Sequence, residues 1–133
     1  MTDTHHERLP LQLIPSGWSA RDLPNLDGQH FLITGATSGI GKEAARELVR
    51  AGAKVTITGR NVEKIERVRK ELASERVASI VLDLADLTSV RKAAREVSEE
   101  IDVLILNAGV MAVPFTKTAD DFELQMGTNH LGH

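Results

Sequence analysis

The sequence predicts an α/β fold, a doubly wound parallel sheet, from three observations. Short apolar runs rich in β-branched residues recur four times between residues 30 and 106. Segments with an apolar residue every three or four positions lie between them. A glycine turn or a capping residue stands where each of these segments begins. Strand–helix alternation of this kind is what a parallel sheet covered on both faces requires, because parallel neighbours are joined by crossovers. The 133 residues suffice for one domain.

Residues 1–29 read as an irregular N-terminal extension, punctuated by Pro10, Pro15, Gly17, Pro24 and Gly28. Its aliphatic residues and Trp18 are expected to pack against the domain; a free tail is the competing reading. Residues 30–133 form the domain. His30 to Thr34 (HFLIT) is the first strand. A helix follows over 40–51, with Ile40, Ala44, Leu48 and Ala51 at helical spacing and Gly52 as its stop. The second strand is KVTIT (54–58). Asn61 can cap the next helix, whose apolar stripe is Val62, Ile65, Val68 and Leu72. VASIVL (77–82) is the third strand. Asp86 or Thr88 can cap the third helix, with Val90, Ala93, Ala94 and Val97 on its inner face. DVLIL (102–106) is the fourth strand. A loop containing Pro114 leads to a last helix from about Thr118. Right-handed crossovers put helices on both faces only if the strand order reverses.

Composition narrows the function classes. A net charge of −3 gives no general attraction to nucleic acid or anionic membrane. The absence of cysteine excludes disulfides and thiolate metal sites. No apolar run approaches the roughly 20 residues of a membrane span, and the N-terminus lacks the basic start and apolar core of a secretion signal. A soluble, cytoplasmic protein is expected.

Two readings compete for TGATSGIGKE (34–43). A triphosphate-hydrolysing loop needs G-x-x-x-x-G-K-[ST]. Here Gly35 and Gly41 are separated by five residues, and Glu43 stands where the magnesium-binding hydroxyl belongs. A carboxylate there would repel phosphate, so that reading fails and Lys42 becomes a solvated residue of the first helical turn. The dinucleotide reading fits. Gly35 allows a sharp exit from the strand, Gly39 lets a pyrophosphate approach the backbone, and Gly41 lets the helix pack closely. The helix N-terminus then offers free N–H groups and positive dipole to the diphosphate.

TGATSGIG (34–41), NAG (107–109) and NHLGH (129–133) together resemble the short-chain dehydrogenase/reductase family, from about residue 28 onward. LNAGVM, KTADDFE and NHLGH resemble its branch of retinol dehydrogenases and protochlorophyllide-reductase-like enzymes. The resemblance implies a Rossmann fold and assigns roles. Thr34 to Gly41, including Thr37, Ser38 and Ile40, would form the pyrophosphate loop. Asp83 would bind the adenine amino group with Leu84 beside the ring; from the residues alone Asp83 reads as a turn or cap. Asn107, Ala108 and Gly109 would wall the adenosine side and hold the central strand. Asn129 corresponds to the asparagine of the family's Asn-Ser-Tyr-Lys tetrad and would hold a water of the proton relay. His130 and His133 read as ordinary helix residues.

Cofactor choice rests on the end of the second strand. NAD enzymes place Asp or Glu there for the ribose hydroxyls. This chain has Thr58, Gly59, Arg60 and Asn61, and no carboxylate before Glu63. Arg60 can pair with a 2′-phosphate through charge-assisted hydrogen bonds, with Thr37 and Ser38 adding hydroxyls. NADP is expected over NAD. As a solvated charge, Arg60 would sit unfavourably at a helix start unless an anion binds there.

The chain holds no tyrosine, and the family's Ser and Tyr-x-x-x-Lys would lie beyond residue 133. The reading is therefore the N-terminal part of an NADP-dependent oxidoreductase, incomplete at its C-terminal side, with the fourth strand left as an apolar edge. The branch resemblance implies an apolar alcohol or carbonyl substrate, and a homo-oligomer is compatible with the family. A non-catalytic dinucleotide-binding or sensor module is the alternative.

Overall fold

The computed structural model describes residues 16–133; the part of the N-terminal extension before Ser16 lies outside them. Four strands, β1 (His30–Ile33), β2 (Lys54–Gly59), β3 (Val77–Val81) and β4 (Val103–Ile105), form one sheet in the order β3-β2-β1-β4. Every pairing is parallel. The chain thus moves outward from β1 to β3, then crosses back beyond β1, and the strand order reverses between β1 and β4 as expected.

Three helices occupy the crossovers: α1 (Gly39–Arg50), α2 (Val62–Leu72) and α3 (Leu87–Glu96). The period-2 alternation of strands assigns the faces. Phe31 and Ile33 of β1, with Val55 and Ile57 of β2, cluster with Ala45, Leu48, Ile65 and Val68 under α1 and α2. Leu32 and Leu104 face the other way, toward Val90 and Ala93 of α3 and Val97 just after it. That second face is not closed: an apolar groove of about 320 Å³ runs between α3 and β4. β4 is a sheet edge, and Leu104 and Leu106 are exposed.

The local signals act where expected, with some corrections. Gly52, at φ +98°, ends α1; its N–H donates to Val49 and that of Ala53 to Leu48, a Schellman closure. Asn61 caps α2 by accepting from the Lys64 amide at 2.8 Å. Asp86, not Thr88, caps α3. Ile40 does not join the core: it is 83% exposed at the carboxyl end of the strands, and Gly41 and Ala45 face inward instead. Val62 and Ala94 are also exposed. Lys42 is not merely solvated, since its Nζ pairs with Glu71 at 2.5 Å and ties α1 to α2. Trp18 stays 49% exposed, whereas Leu26 enters the core.

The last helix begins later than its sequence pattern suggests. Thr118–Asp121 form a turn, with the Asp121 amide on the Thr118 carbonyl. Glu123 then caps a single α turn, α4 (Leu124–Met126), which continues as a π turn over Gly127–Leu131. The Thr118 hydroxyl accepts from the Phe122 amide, and the Ala119 amide and the Asp120 carboxylate bond Ala85 and Leu87 instead of continuing a helix, so the helix starts after this turn. At the opposite end of the sheet, His30 is buried. Its Nδ1 lies 2.8 Å from the Glu100 carbonyl and its Nε2 2.8 Å from the Thr56 hydroxyl. The carbonyl can only accept, so Nδ1 carries a proton, and in the neutral ring Nε2 accepts from Thr56.

Candidate functional site

The reversal between β1 and β4 opens a crevice at the carboxyl ends of the strands, where ligands of open α/β sheets bind. A cleft of about 580 Å³ lies there. All thirteen residues predicted to hold the cofactor line it: Gly35, Thr37 to Gly41, Arg60, Asn61, Asp83, Leu84, Asn107, Ala108 and Gly109.

The glycine turn forms the floor. Gly35 has φ +67°, and a Cβ on it would stand 2.8 Å from the Ala108 Cα, so backbone conformation and the segment after β4 both demand glycine. Gly39 has φ +54°, and nothing lies within 4 Å of a Cβ there; the position opens into the cleft. A Cβ on Gly41 would lie 2.4 Å from Asn107 Nδ2 and 2.6 Å from the Gly35 carbonyl.

The hydrogen bonds of this turn separate anchors from free groups. The Ala36 amide donates to the Thr58 carbonyl and fastens the turn to β2. Among the described residues, the amides of Thr37, Ser38, Gly39, Ile40 and Gly41 donate to no protein acceptor. Ser38, the N-cap of α1, makes no side-chain capping bond, whereas the caps of α2, α3 and α4 all do. A helix start with free amides and no protein cap is built to receive an anion.

The β4 lip is held by Thr34 and Asn107. The Thr34 hydroxyl accepts from the Asn107 and Ala108 amides, each at 3.0 Å. Asn107 Nδ2 donates to the Thr34 carbonyl at 3.0 Å and the Gly35 carbonyl at 3.3 Å. Asn107 therefore fastens the glycine turn to the end of β4 through its side chain as well as its amide.

At the end of β2, Arg60 is exposed. Neither it nor Lys64, which also lines the cleft, has a carboxylate within ion-pair distance among the described residues. Lys64 was missed in the sequence; the signal was its position four residues after Arg60, in the first turn of α2. Asn61 has its carboxamide oxygen committed to the helix cap. Asp83 closes a turn, one oxygen accepting from the Ala85 amide at 2.9 Å, and it also lines the cleft.

Asn129 does not line this cleft. Its Oδ1 accepts from the Val110 amide and its Nδ2 donates to the Val110 carbonyl, both at 2.8 Å. The carboxamide pins the loop after β4 to the π turn. Glu123 supports the same segment: the amides of Gln125 and Met126 donate to its carboxylate and hold its pKa below the usual value. His133 is more than an ordinary helix residue, since Nε2 reaches the Thr34 hydroxyl at 2.9 Å and Nδ1 the Asn129 carbonyl at 3.1 Å. No group of three or more metal-ligating side chains occurs among the described residues, and no described helix is long and apolar enough to cross a membrane.

Comparison with known proteins covers nearly all of this frame. Residues 29–133 match the sequence profile described as short chain dehydrogenase. Retinol dehydrogenase 11 of Homo sapiens is 48% identical over 115 residues, covering 81% of this chain and 36% of that protein. The chain thus spans little more than a third of that relative's length. A crystal structure of an uncharacterized Mycobacterium paratuberculosis protein superposes with a TM-score of 0.83 at 51% identity, over 89% of this chain and 43% of that one. A metagenomic short-chain oxidoreductase, solved in complex with NADP, gives a TM-score of 0.60 at 38% identity, over 65% of this chain and 41% of that one.

Proposed function

The chain belongs to the short-chain dehydrogenase family, on its retinol-dehydrogenase-like branch, and from that premise we propose that it is the NADP-binding part of an oxidoreductase moving hydride between a nicotinamide and an alcohol or carbonyl carbon. The observation that carries the proposal is the row of unclaimed amides from Thr37 to Gly41 beside Arg60, an acid-free cation at the end of β2. The free amides and uncapped helix start suit a diphosphate. Arg60, with Lys64 near it, suits a 2′-phosphate and offers nothing to a ribose diol that a carboxylate would bind.

In this reading Gly39 presents backbone to the diphosphate. Asp83 and Leu84 receive the adenine, Thr37, Ser38 and Asn61 add polar contacts near the ribose phosphate, and Asn107 to Gly109 form the opposite wall. Ile40 lies on the cleft as an apolar surface. Asn129 orders the loop at the mouth, where a tetrad asparagine would act in the proton relay. When bound, the nicotinamide supplies the hydride chemistry, and the protein supplies position and proton transfer. These 133 residues contain no tyrosine, and by themselves they are expected to bind nucleotide without turnover. An apolar alcohol or carbonyl substrate and a homo-oligomeric assembly belong to the same proposal, as does the division of the chain into an N-terminal extension, 1–29, and a nucleotide-binding domain, 30–133.

Titration with NADPH and NADH tests it. Replacing Arg60 by Ala removes a charge-assisted bond of about 1.5–3 kcal/mol, so NADPH affinity should fall roughly 10- to 100-fold while NADH changes little. Equal losses for both nucleotides would refute the assignment of Arg60 and with it the preference for NADP.

A further inference from the structure

We infer that His133 is a positioning residue, held as its Nδ1–H tautomer, which orients the Thr34 hydroxyl and through it the Asn107–Ala108 lip of the cleft. The effect on nucleotide binding rests on the nucleotide reading above; the hydrogen-bond lock does not.

The argument is a count of protons and lone pairs. Thr34 Oγ1 has three polar neighbours: the Asn107 amide at 3.0 Å, the Ala108 amide at 3.0 Å and His133 Nε2 at 2.9 Å. The two amides can only donate, and together they occupy both lone pairs of the hydroxyl. Its own proton is then the only group left for the third neighbour, so His133 Nε2 accepts. A neutral ring that accepts at Nε2 carries its proton on Nδ1. That atom lies 3.1 Å from the Asn129 carbonyl, which can only accept. The two ends of the ring thus demand the same tautomer independently. The groove beside the ring is lined by Leu32, Leu84, Leu104, Leu106 and Val97 among others, and by no Asp or Glu, so no acidic side chain of the groove competes for either nitrogen.

The consequence runs in one direction along the chain of bonds. With His133 accepting, the Thr34 proton points away from β4 and both lone pairs stay turned toward the Asn107 and Ala108 amides. Without an acceptor there, the hydroxyl is free to rotate, and those two amides lose a fixed partner. The Asn129 carbonyl joins the same lock, so one ring ties the π turn, the end of β1 and the lip after β4 together.

The test uses the whole protein labelled with ¹⁵N histidine, with the His133→Gln variant assigning the ring. Long-range ¹⁵N–¹H spectra of the neutral ring should show Nδ1 protonated, and Thr34→Val should erode that preference by removing the donor to Nε2. In the His133→Phe variant, NADPH affinity should fall about fivefold, the loss of roughly one hydrogen bond, and the Asn107 and Ala108 amides should exchange faster. His133→Gln, whose Oε1 can take up the Thr34 proton, should recover most of both. An Nε2–H tautomer, a Phe variant with wild-type affinity and exchange, or a Gln variant as impaired as Phe would overturn the inference. If the wild type binds no NADPH yet shows the Nδ1–H ring and the exchange effect, the lock stands and the nucleotide reading falls.

Discussion

Replacing Gly41 by Ala separates a glycine needed for packing from one needed for a ligand. In a free helix the change is favourable by about 1 kcal/mol. Here the added Cβ would lie 2.4 Å from Asn107 Nδ2 and 2.6 Å from the Gly35 carbonyl, both inside the 3.0 Å below which real Cβ contacts essentially never fall. Asn107 must retreat, and its bonds to the Thr34 and Gly35 carbonyls go with it. Overpacking costs roughly 1–3 kcal/mol and the two hydrogen bonds roughly 1 kcal/mol each. Against the helical gain the net loss is about 2–4 kcal/mol. Gly39→Ala is the control: φ +54° costs an L residue about 1–2 kcal/mol, but the methyl meets nothing within 4 Å and enters the cleft. Urea unfolding followed by circular dichroism should therefore rank wild type, then Gly39→Ala, then Gly41→Ala. NADPH titration should show both variants impaired. A Gly41→Ala protein as stable as wild type would refute the packing argument and the role given to Asn107.

Asn129→Asp keeps an acceptor for the Val110 amide but sets a carboxylate oxygen against the Val110 carbonyl. Stability should drop by about 1–2 kcal/mol with NADPH affinity nearly unchanged, read by the same two assays; a larger effect on affinity than on stability would move Asn129 into the cleft. Acid sensitivity follows from four carboxylates. Arg76 lowers the pKa of Asp27, Lys42 that of Glu71, Lys54 that of Glu99, and two backbone amides that of Glu123. A group whose folded pKa lies below its unfolded one stabilises fully above the unfolded value and ceases to as pH falls through the folded one. The share of the unfolding free energy that these four carboxylates supply should be constant from pH 7 to about 5 and decline below about 4.5, with a shallower decline in Glu123→Gln; a difference between wild type and Glu123→Gln that grows on acidification would contradict the Glu123 assignment.

Most of the fold was legible because the strands and helices obey one rule each. Val55 and Ile57 are buried as the β-branched run KVTIT suggests, and Gly52 ends α1 as glycine does after a helix. The site was legible because TGATSGIG is a local instruction: its turn needs no distant partner to be recognised. What failed were inferences from spacing at the rim. Ile40 and Val62 fit their helical stripes, yet each lies in the first turn of its helix and is exposed. Thr118 to Asp121 had helical apolar neighbours but short polar side chains that compete for the backbone. The Thr34–His133 contact joins residues 99 apart in sequence, a pairing that periodicity cannot register.

The sheet is firm on one side and loose on the other. Beneath α1 and α2, Val55 and Ile57 are sealed by their own neighbours, whereas the strand beyond β1 leans on an open trough. Local opening should therefore begin at that outer strand and reach the middle of the sheet last. The crevice straddles the divide, with its floor on the sturdy half and its far wall on the yielding one. A molecule spanning both would act as a brace, slowing the fluctuations of the weaker wall while leaving the stronger one as it was.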